Sequence, residues 1–239
     1  HGRIRRQRQM CIRDSLSTRP EKYIGDDTVW DLATKGLIEA LERKGWNYKI
    51  DEGGGAFYGP KIDLKIEDAI GRMWQCSTIQ LDFNLPERFR LDYIAADSSK
   101  QRPIMIHRAI FGSLERFFGI MTENYAGDYP FWLAPEQVRL LPVTDEVQPY
   151  AESLLDQLTQ AGVRATIDRS GDRLGKLIRT GEQMKIPVLA VIGAKEAEQN
   201  AVSLRSRRDG DLGVVTVADL LRAAESANSQ RAAGLELNA

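Results

Sequence analysis

Residues 103–124 read PIMIHRAIFGSLERFFGIMTEN, and the fold turns on how that stretch divides. The apolar run Ile104, Met105, Ile106, followed by His107, Arg108 and Ile110, has the length and flanks of a strand. Gly112 breaks it, and Ser113 is a candidate N-cap. Beyond it Leu114, Phe117, Phe118 and Met121 recur at the i, i+3, i+4, i+7 spacing of a helix with one buried face. Arg116 lies off that face, on a stripe it shares with Gly112 and Gly119. Small residues on either side of a cation leave room for a ligand to reach the helix backbone. The guanidinium itself suits bidentate contact with phosphate. Taken alone, Arg116 is read more plainly as a surface residue of an amphipathic helix.

Upstream, Cys76, Thr78, Gln80 and Asp82 alternate with Ser77, Ile79, Leu81 and Phe83, so Arg72–Phe83 predicts a strand with one polar face. That face is costly on a central strand unless it meets a wet or ligand-filled site. Lys61, Asp63, Lys65 and Glu67 alternate with Ile62, Leu64 and Ile66 as in a half-solvated antiparallel strand. Between them and a short strand at Trp46–Ile50 lies DEGGGAFYGPK (51–61), whose three glycines mean a mobile or tightly turned backbone. It is no phosphate-binding P-loop, because no Gly-Lys-Ser/Thr follows. Thr28–Gly45 reads as a helix with Val29, Leu32, Ala33, Leu37, Ala40 and Leu41 on one stripe, capped by Asp27 or Thr28 and ended by Gly45. Residues 1–15, HGRIRRQRQMCIRDS, hold five Arg and no periodicity. They read as a non-native or artefactual tail and are set aside from the fold.

Downstream, Pro130 and Pro135 bracket a linker-like apolar segment, and the domain boundary is expected near Pro135 (16–135, then 136–239). From Glu136 strands and helices alternate. Strands are expected at Val138–Val143, Val163–Ile167 and Val188–Ile192, with helices at Val147–Ala161 and Asp172–Lys185. A hairpin around Asp209-Gly210 and a last helix from Val217 precede a disordered C-terminal tail. This order predicts a smaller α/β domain with a mixed sheet. It lacks the GxGxxG of a dinucleotide fold. Arg169 to Lys185 contains five cations and two acids, and Arg205, Arg207 and Arg208 form a second basic cluster. Such surfaces hold phosphates and splayed bases, although a solvated helix face is the plainer reading without further context.

A formal net charge of −1 over 239 residues excludes a globally basic nucleic-acid binder, so any RNA contact must be a local patch. Two cysteines, Cys11 and Cys76, form no CxxC or disulfide framework and suit a reducing, cytoplasmic setting. No apolar run reaches the roughly 18 residues of a membrane span. No signal-peptide core or internal repeat is visible.

HRAIFGSLERFFGIMTEN (107–124) resembles the third signature motif of class II aminoacyl-tRNA synthetases, in the form found in the threonyl-tRNA synthetase family. GAFYGPKID (55–63) is similar to a substrate-contacting segment of that family, and CSTIQLDFNLPERF (76–89) to its strand carrying an adenylate-binding Gln. LSTRPEK (16–22) resembles the middle of its catalytic domain. The alternation from Glu136 is similar to the anticodon-binding domain shared by the threonyl, prolyl, histidyl and glycyl enzymes.

The resemblance implies an antiparallel-sheet class II catalytic domain, in part, followed by an anticodon-binding domain. It implies that Arg116 holds the γ-phosphate of ATP, that Gln80 and Tyr58 contact the adenylate, and that Lys61 neutralises carboxylate or α-phosphate charge. His107 would be one ligand of a Zn2+ ion, and Mg2+ would accompany ATP. Arg173, Lys176, Arg179, Glu196 and Arg205 would meet the anticodon of tRNA(Thr). Ser170-Gly171 departs from the Arg-Asn frequent in the family, which weakens the expectation that this loop reads a base. The implied reaction is ATP-dependent activation of L-threonine and its transfer to the tRNA 3′ end, by a homodimer in the complete enzyme. Nothing in the sequence resembles the first two class II motifs or the other two zinc ligands, so this chain alone is expected to be inactive. The alternative is a non-catalytic tRNA-binding accessory protein that retains the anticodon-binding domain.

Overall fold

The computed structural model describes residues 12–237. They divide into two compact units that meet in sequence at Asn124/Tyr125. The first contains, in chain order, β1 (Ile12–Ser17), α1 (Asp27–Lys44), β2 (Tyr48–Asp51), β3 (Lys61–Glu67), β4 (Met73–Asp82), α2 (Asn84–Arg88), the short hairpin β5 (Tyr93–Ile94) and β6 (Lys100–Gln101), β7 (Met105–Ala109) and α3 (Leu114–Tyr125). Its main sheet has the order β2-β1-β3-β4-β7 and is antiparallel except for β1 beside β2.

One face of this sheet is apolar. Leu16, Ile62, Leu64, Ile79 and Leu81 pack against Leu37, Ile38 and Leu41 of α1. The Asp26 side chain caps α1 through Thr28 N, and Gly45 closes it in the left-handed conformation. The inward residues of α1 are Trp30, Ala33, Leu37 and Leu41, whereas Val29 and Leu32 of the expected stripe are exposed. The other sheet face is polar and carries the residues described below.

Three expectations are corrected in this unit. Residues 12–15, set aside with the tail, belong to the sheet: Asp14 and Ser15 pair with β2 and β3 on either side. The rest of that segment, with Cys11, lies outside the described residues. The strict alternation of β4 fails at Cys76, which is the extra residue of a bulge, since Leu64 pairs with Ser77 and Lys65 with Gln75. Gln75 therefore joins Thr78, Gln80 and Asp82, and Cys76 is a buried thiol. The apolar periodicity of α3 predicts its buried face only in part: Phe117 and Met121 are half-buried, but the other two residues of the stripe are not. Leu114 is 69% and Phe118 57% exposed, while Ile120 is 4% exposed. Ile120 is the buried residue of α3, and the exposed Arg116, Gly119 and Glu123 beside it line an open cavity with Arg72 and with Trp74 of β4.

The second unit contains β8 (Val138–Pro142), α4 (Gln148–Gln160), β9 (Ala165–Ile167), α5 (Leu174–Gln183), β10 (Val188–Ile192), α6 (Ala194–Glu198), β11 (Ala201–Ser206), β12 (Gly210–Thr216) and α7 (Val217–Gln230). The sheet order is β12-β11-β10-β8-β9, with β8 parallel to both neighbours and β10, β11 and β12 antiparallel. This is the expected mixed sheet. Leu140, Leu154, Leu158, Ala190, Leu204 and Leu220 are among its core. The segment before Pro135 belongs to this unit and is not a free linker. Phe131 is buried, its N–H donates to Ala233 O, and Arg207 pairs with Asp128 at 3.0 Å. The end of the chain is likewise docked through residue 237: Ala232, Leu235 and Leu237 pack on the core, contrary to the disordered tail expected.

Candidate functional site

Strand register places the predicted residues of the first unit in a row. Ser17 of β1, Lys61 of β3, Gln80 of β4 and His107 of β7 are successive cross-strand partners. The next row on the same face is Ser15, Asp63, Thr78 and Ala109. Tyr58 closes over the first row from the loop before β3. Its hydroxyl donates to Gln80 Oε1 at 3.0 Å, and its ring meets that of His107 edge-on at 6.3 Å. Gly59 makes this possible: a Cβ there would lie 1.8 Å from Leu81 O, so only glycine lets the loop press against β4.

Two carboxylates missed as site residues organise the row. Asp63, 2% exposed, accepts from Lys61 Nζ at 2.7 Å, Gln75 Nε2 at 2.7 Å and Thr78 Oγ1 at 2.8 Å. Asp82 lies 2.8 Å from His107 Nε2 and accepts from the N–H groups of Asn84 and Leu85. Burial pushes the Asp82 carboxyl up, but the hydrogen bonds from His107, Leu85 and Asn84 outweigh it and hold it below the ordinary carboxylate range. The only sequence signal for either was its place on an alternating polar face.

Arg116 lies at the other end of β4. Gly112, at φ 68°, sits where a Cβ would be 2.8 Å from Cys76 O, and it turns the chain from β7 into α3. Ser113 Oγ accepts from Arg116 N, as an N-cap does. The Arg116 guanidinium donates to Gln75 O at 3.2 Å and lies over the Trp74 ring at 5.5 Å. Cys76 is buried, and burial raises its thiol pKa despite the nearby Arg116 charge, as in a packed structural cysteine.

His107 does not make a metal site with its neighbours. Its Nε2 is committed to Asp82, and no group of three or more His, Cys, Asp or Glu among the described residues could hold a metal ion. The residues present do not fit a zinc ion.

In the second unit Arg173, at the N-cap of α5, and Lys176 and Arg179 within the helix are exposed. Lys176 pairs with Asp172 at 2.9 Å. Glu196 caps α6 by accepting from Gly193 N at 3.0 Å. Arg205 pairs with Glu182, and Arg207 turns in to Asp128 and Glu182 O, so the second basic cluster is largely engaged within the unit. Exposed pairs of this type are weak and open to competition. Ser170-Gly171 forms a tight turn on Asp168, with Ser170 N donating to Asp168 Oδ1 and Gly171 at φ 70°. A cavity of about 730 Å³ opens at the carboxyl ends of β8 and β9, lined by residues that include Thr144, Gln148, Asp168 and Arg169. Crevices at that edge of a parallel sheet are common ligand sites.

Residues 4–125 match the family model "tRNA synthetase class II core domain (G, H, P, S and T)", and residues 137–226 match "Anticodon binding domain". The chain belongs to the class II aminoacyl-tRNA synthetases. Among its relatives are threonyl members of that family. It is 96% identical over 224 residues to the threonine–tRNA ligase of Parasynechococcus marenigrum, an alignment covering 94% of this chain and 37% of that ligase. A crystal structure of the RNA binding domain of threonyl-tRNA synthetase from Cryptosporidium parvum matches at 35% identity and TM-score 0.85, over 95% of this chain and 56% of that one. A putative threonyl-tRNA synthetase of Aeropyrum pernix matches at 29% identity and TM-score 0.68, over 92% and 56%. The chain thus spans little more than a third of the length of the curated ligases it matches. No helix among the described residues is long and apolar enough to cross a membrane.

Proposed function

We propose that this chain supplies part of the adenylate-forming site and the anticodon-binding surface of a threonine–tRNA ligase. The observation that carries the reading is the single polar row Lys61–Gln80–His107 with Tyr58 closed over it. In the proposed reaction the threonine carboxylate attacks the α-phosphorus of Mg2+-bound ATP. The bond to the β-phosphate breaks and pyrophosphate leaves. Lys61 would meet the charge that builds on the α-phosphate. Gln80 and Tyr58 would orient the adenylate, and Arg116 would bind the polyphosphate. A hydroxyl at the 3′ end of tRNA(Thr) then attacks the carbonyl carbon, and AMP leaves. No step is routed through zinc, because this chain offers His107 without companions. Arg173, Lys176, Arg179 and Arg205 would meet anticodon phosphates and bases, with Glu196 as an acceptor once released from its cap. Function as a homodimer and in the cytoplasm are further expectations from the family.

The reading is tested by calorimetry with a non-hydrolysable threonyl-adenylate analogue. Wild type is expected to bind, with Lys61→Ala and Gln80→Ala each weaker by tenfold or more; equal affinity in all three would overturn it. Threonine-dependent ATP–pyrophosphate exchange by the isolated chain is expected to be absent. Exchange above a His107→Ala, Arg116→Ala control would overturn that expectation.

A further inference from the structure

We propose that Trp74 is a positioning residue for Arg116, an indole plate fixed by Asp68 that holds the guanidinium at the end of β4. The inference rests on the reading of Arg116 as a polyphosphate ligand and says what keeps it in place. Two guanidiniums lie over the Trp74 ring, Arg116 at 5.5 Å and Arg72 at 5.3 Å. The indole N–H donates to Asp68 Oδ2 at 2.8 Å. Asp68 also accepts from Arg72 Nε at 2.5 Å and from the backbone N–H groups of Arg72 and Ile70. Arg72 then reaches Glu123 on α3 at 3.3 Å. The plate is therefore pinned along one edge, and the arginine beside Arg116 ties the sheet to α3.

The chemistry explains why a tryptophan stands there. An arginine that must meet an incoming polyphosphate cannot be held by a strong carboxylate, which would compete for the same donors. The face of an indole attracts the cation without occupying its N–H groups. Arg116 spends one donor on Gln75 O and keeps the others. Gly119 leaves the adjoining cavity of about 350 Å³ open. The carboxylates nearby are otherwise engaged: Glu115 with Ser113 and Glu123 with Arg72.

The test uses the whole chain, with inorganic tripolyphosphate as the probe and 15N side-chain relaxation as the second readout. In wild type the Arg116 Nε–H is expected to be ordered, and in Trp74→Leu its order parameter should fall below about 0.6. Trp74→Phe, which keeps an aromatic face, should lie between. Tripolyphosphate should bind Trp74→Leu about tenfold more weakly than wild type. The Trp74→Leu, Arg116→Ala double variant should be no weaker than Arg116→Ala alone. Additive losses would overturn the inference. So would an Arg116 that stays ordered in Trp74→Leu, whether or not tripolyphosphate binds. Should Trp74→Leu fail to fold, Arg116→Ala provides the reciprocal measurement: the Trp74 indole N–H resonance is expected to shift, and an unchanged resonance would refute the contact. Wild type that binds no tripolyphosphate would refute Arg116 as the phosphate ligand, while the relaxation result would still decide the role of Trp74.

Discussion

Replacing Asp63 by Ala should destabilise the first unit more than any other single change on the polar sheet face. The carboxylate is 2% exposed and accepts three side-chain donors, one of them the Lys61 ammonium. Removing one partner of a buried ion pair costs about 3–5 kcal/mol when the other charge is left stranded. Here that figure is an upper bound. The Lys61 side chain keeps 19% of its surface exposed and can extend its ammonium to water. Gln75 and Thr78 also stay bonded to each other at 2.9 Å. The expected loss is therefore about 2–3 kcal/mol. Asp63→Asn keeps the shape but turns an N–H toward one of the three donors, and should cost roughly half as much. Urea unfolding followed by tryptophan fluorescence reads this directly. In a Trp132→Phe background every remaining tryptophan, Trp30, Trp46 and Trp74, lies in the first unit. A loss below about 0.5 kcal/mol for Asp63→Ala would refute the reasoning, because it would mean that the three donors do not depend on this carboxylate.

Asp14 faces β3 with its Oδ1 buried and unbonded, so Asp14→Leu should stabilise by about 1 kcal/mol, seen as a higher urea midpoint. Burial raises the Asp14 pKa, so the folded state disfavours its charge. Stability from this residue is lost as pH rises through the folded pKa, and the leucine variant should lose that dependence. Asp68 has the opposite sign. Burial pushes its carboxyl up, but hydrogen bonds from Trp74, Arg72 and the N–H groups of Arg72 and Ile70 hold it well below the carboxylate range. Its contribution is complete above the unfolded pKa of about 4 and is lost as pH falls toward the folded value, so Asp68→Asn should flatten the acid limb of a stability–pH curve. Gly59→Ala drives a Cβ into Leu81 O and should cost more than about 2 kcal/mol and weaken binding of the adenylate analogue. Arg173→Ala and Arg179→Ala should each reduce the slope of log affinity for tRNA(Thr) against log salt by about 1, whereas an unchanged slope would place the RNA elsewhere.

The architecture was legible wherever one pattern had one cause. The β8–β12 unit could be read from alternating apolar strands and helices, because each element buries a single apolar face in one core. Lys61, Gln80 and His107 are singled out by a family resemblance and not by local pattern. Their shared row could not be read, since cross-strand register depends on pairing and not on local pattern. The errors on α3 and on the polar sheet face have a common physical origin. Periodicity assumes that the apolar stripe faces inward, but α3 turns Arg116 and Ile120 toward Trp74 because that surface accepts a cation. Alternation assumes that a polar face is solvated, yet Asp63 is buried because three donors compensate its desolvation. It also assumes an unbroken ladder, and the bulge at Cys76 exchanges that thiol for Gln75. Two of these lie where a polar group is satisfied by a residue distant in sequence: Arg116 over Trp74, and Asp63 with Gln75. Local rules describe elements that bury apolar surface for stability alone. Where the sheet instead holds charges in fixed positions, those rules break, and the face concerned is the one the proposed function assigns to substrate.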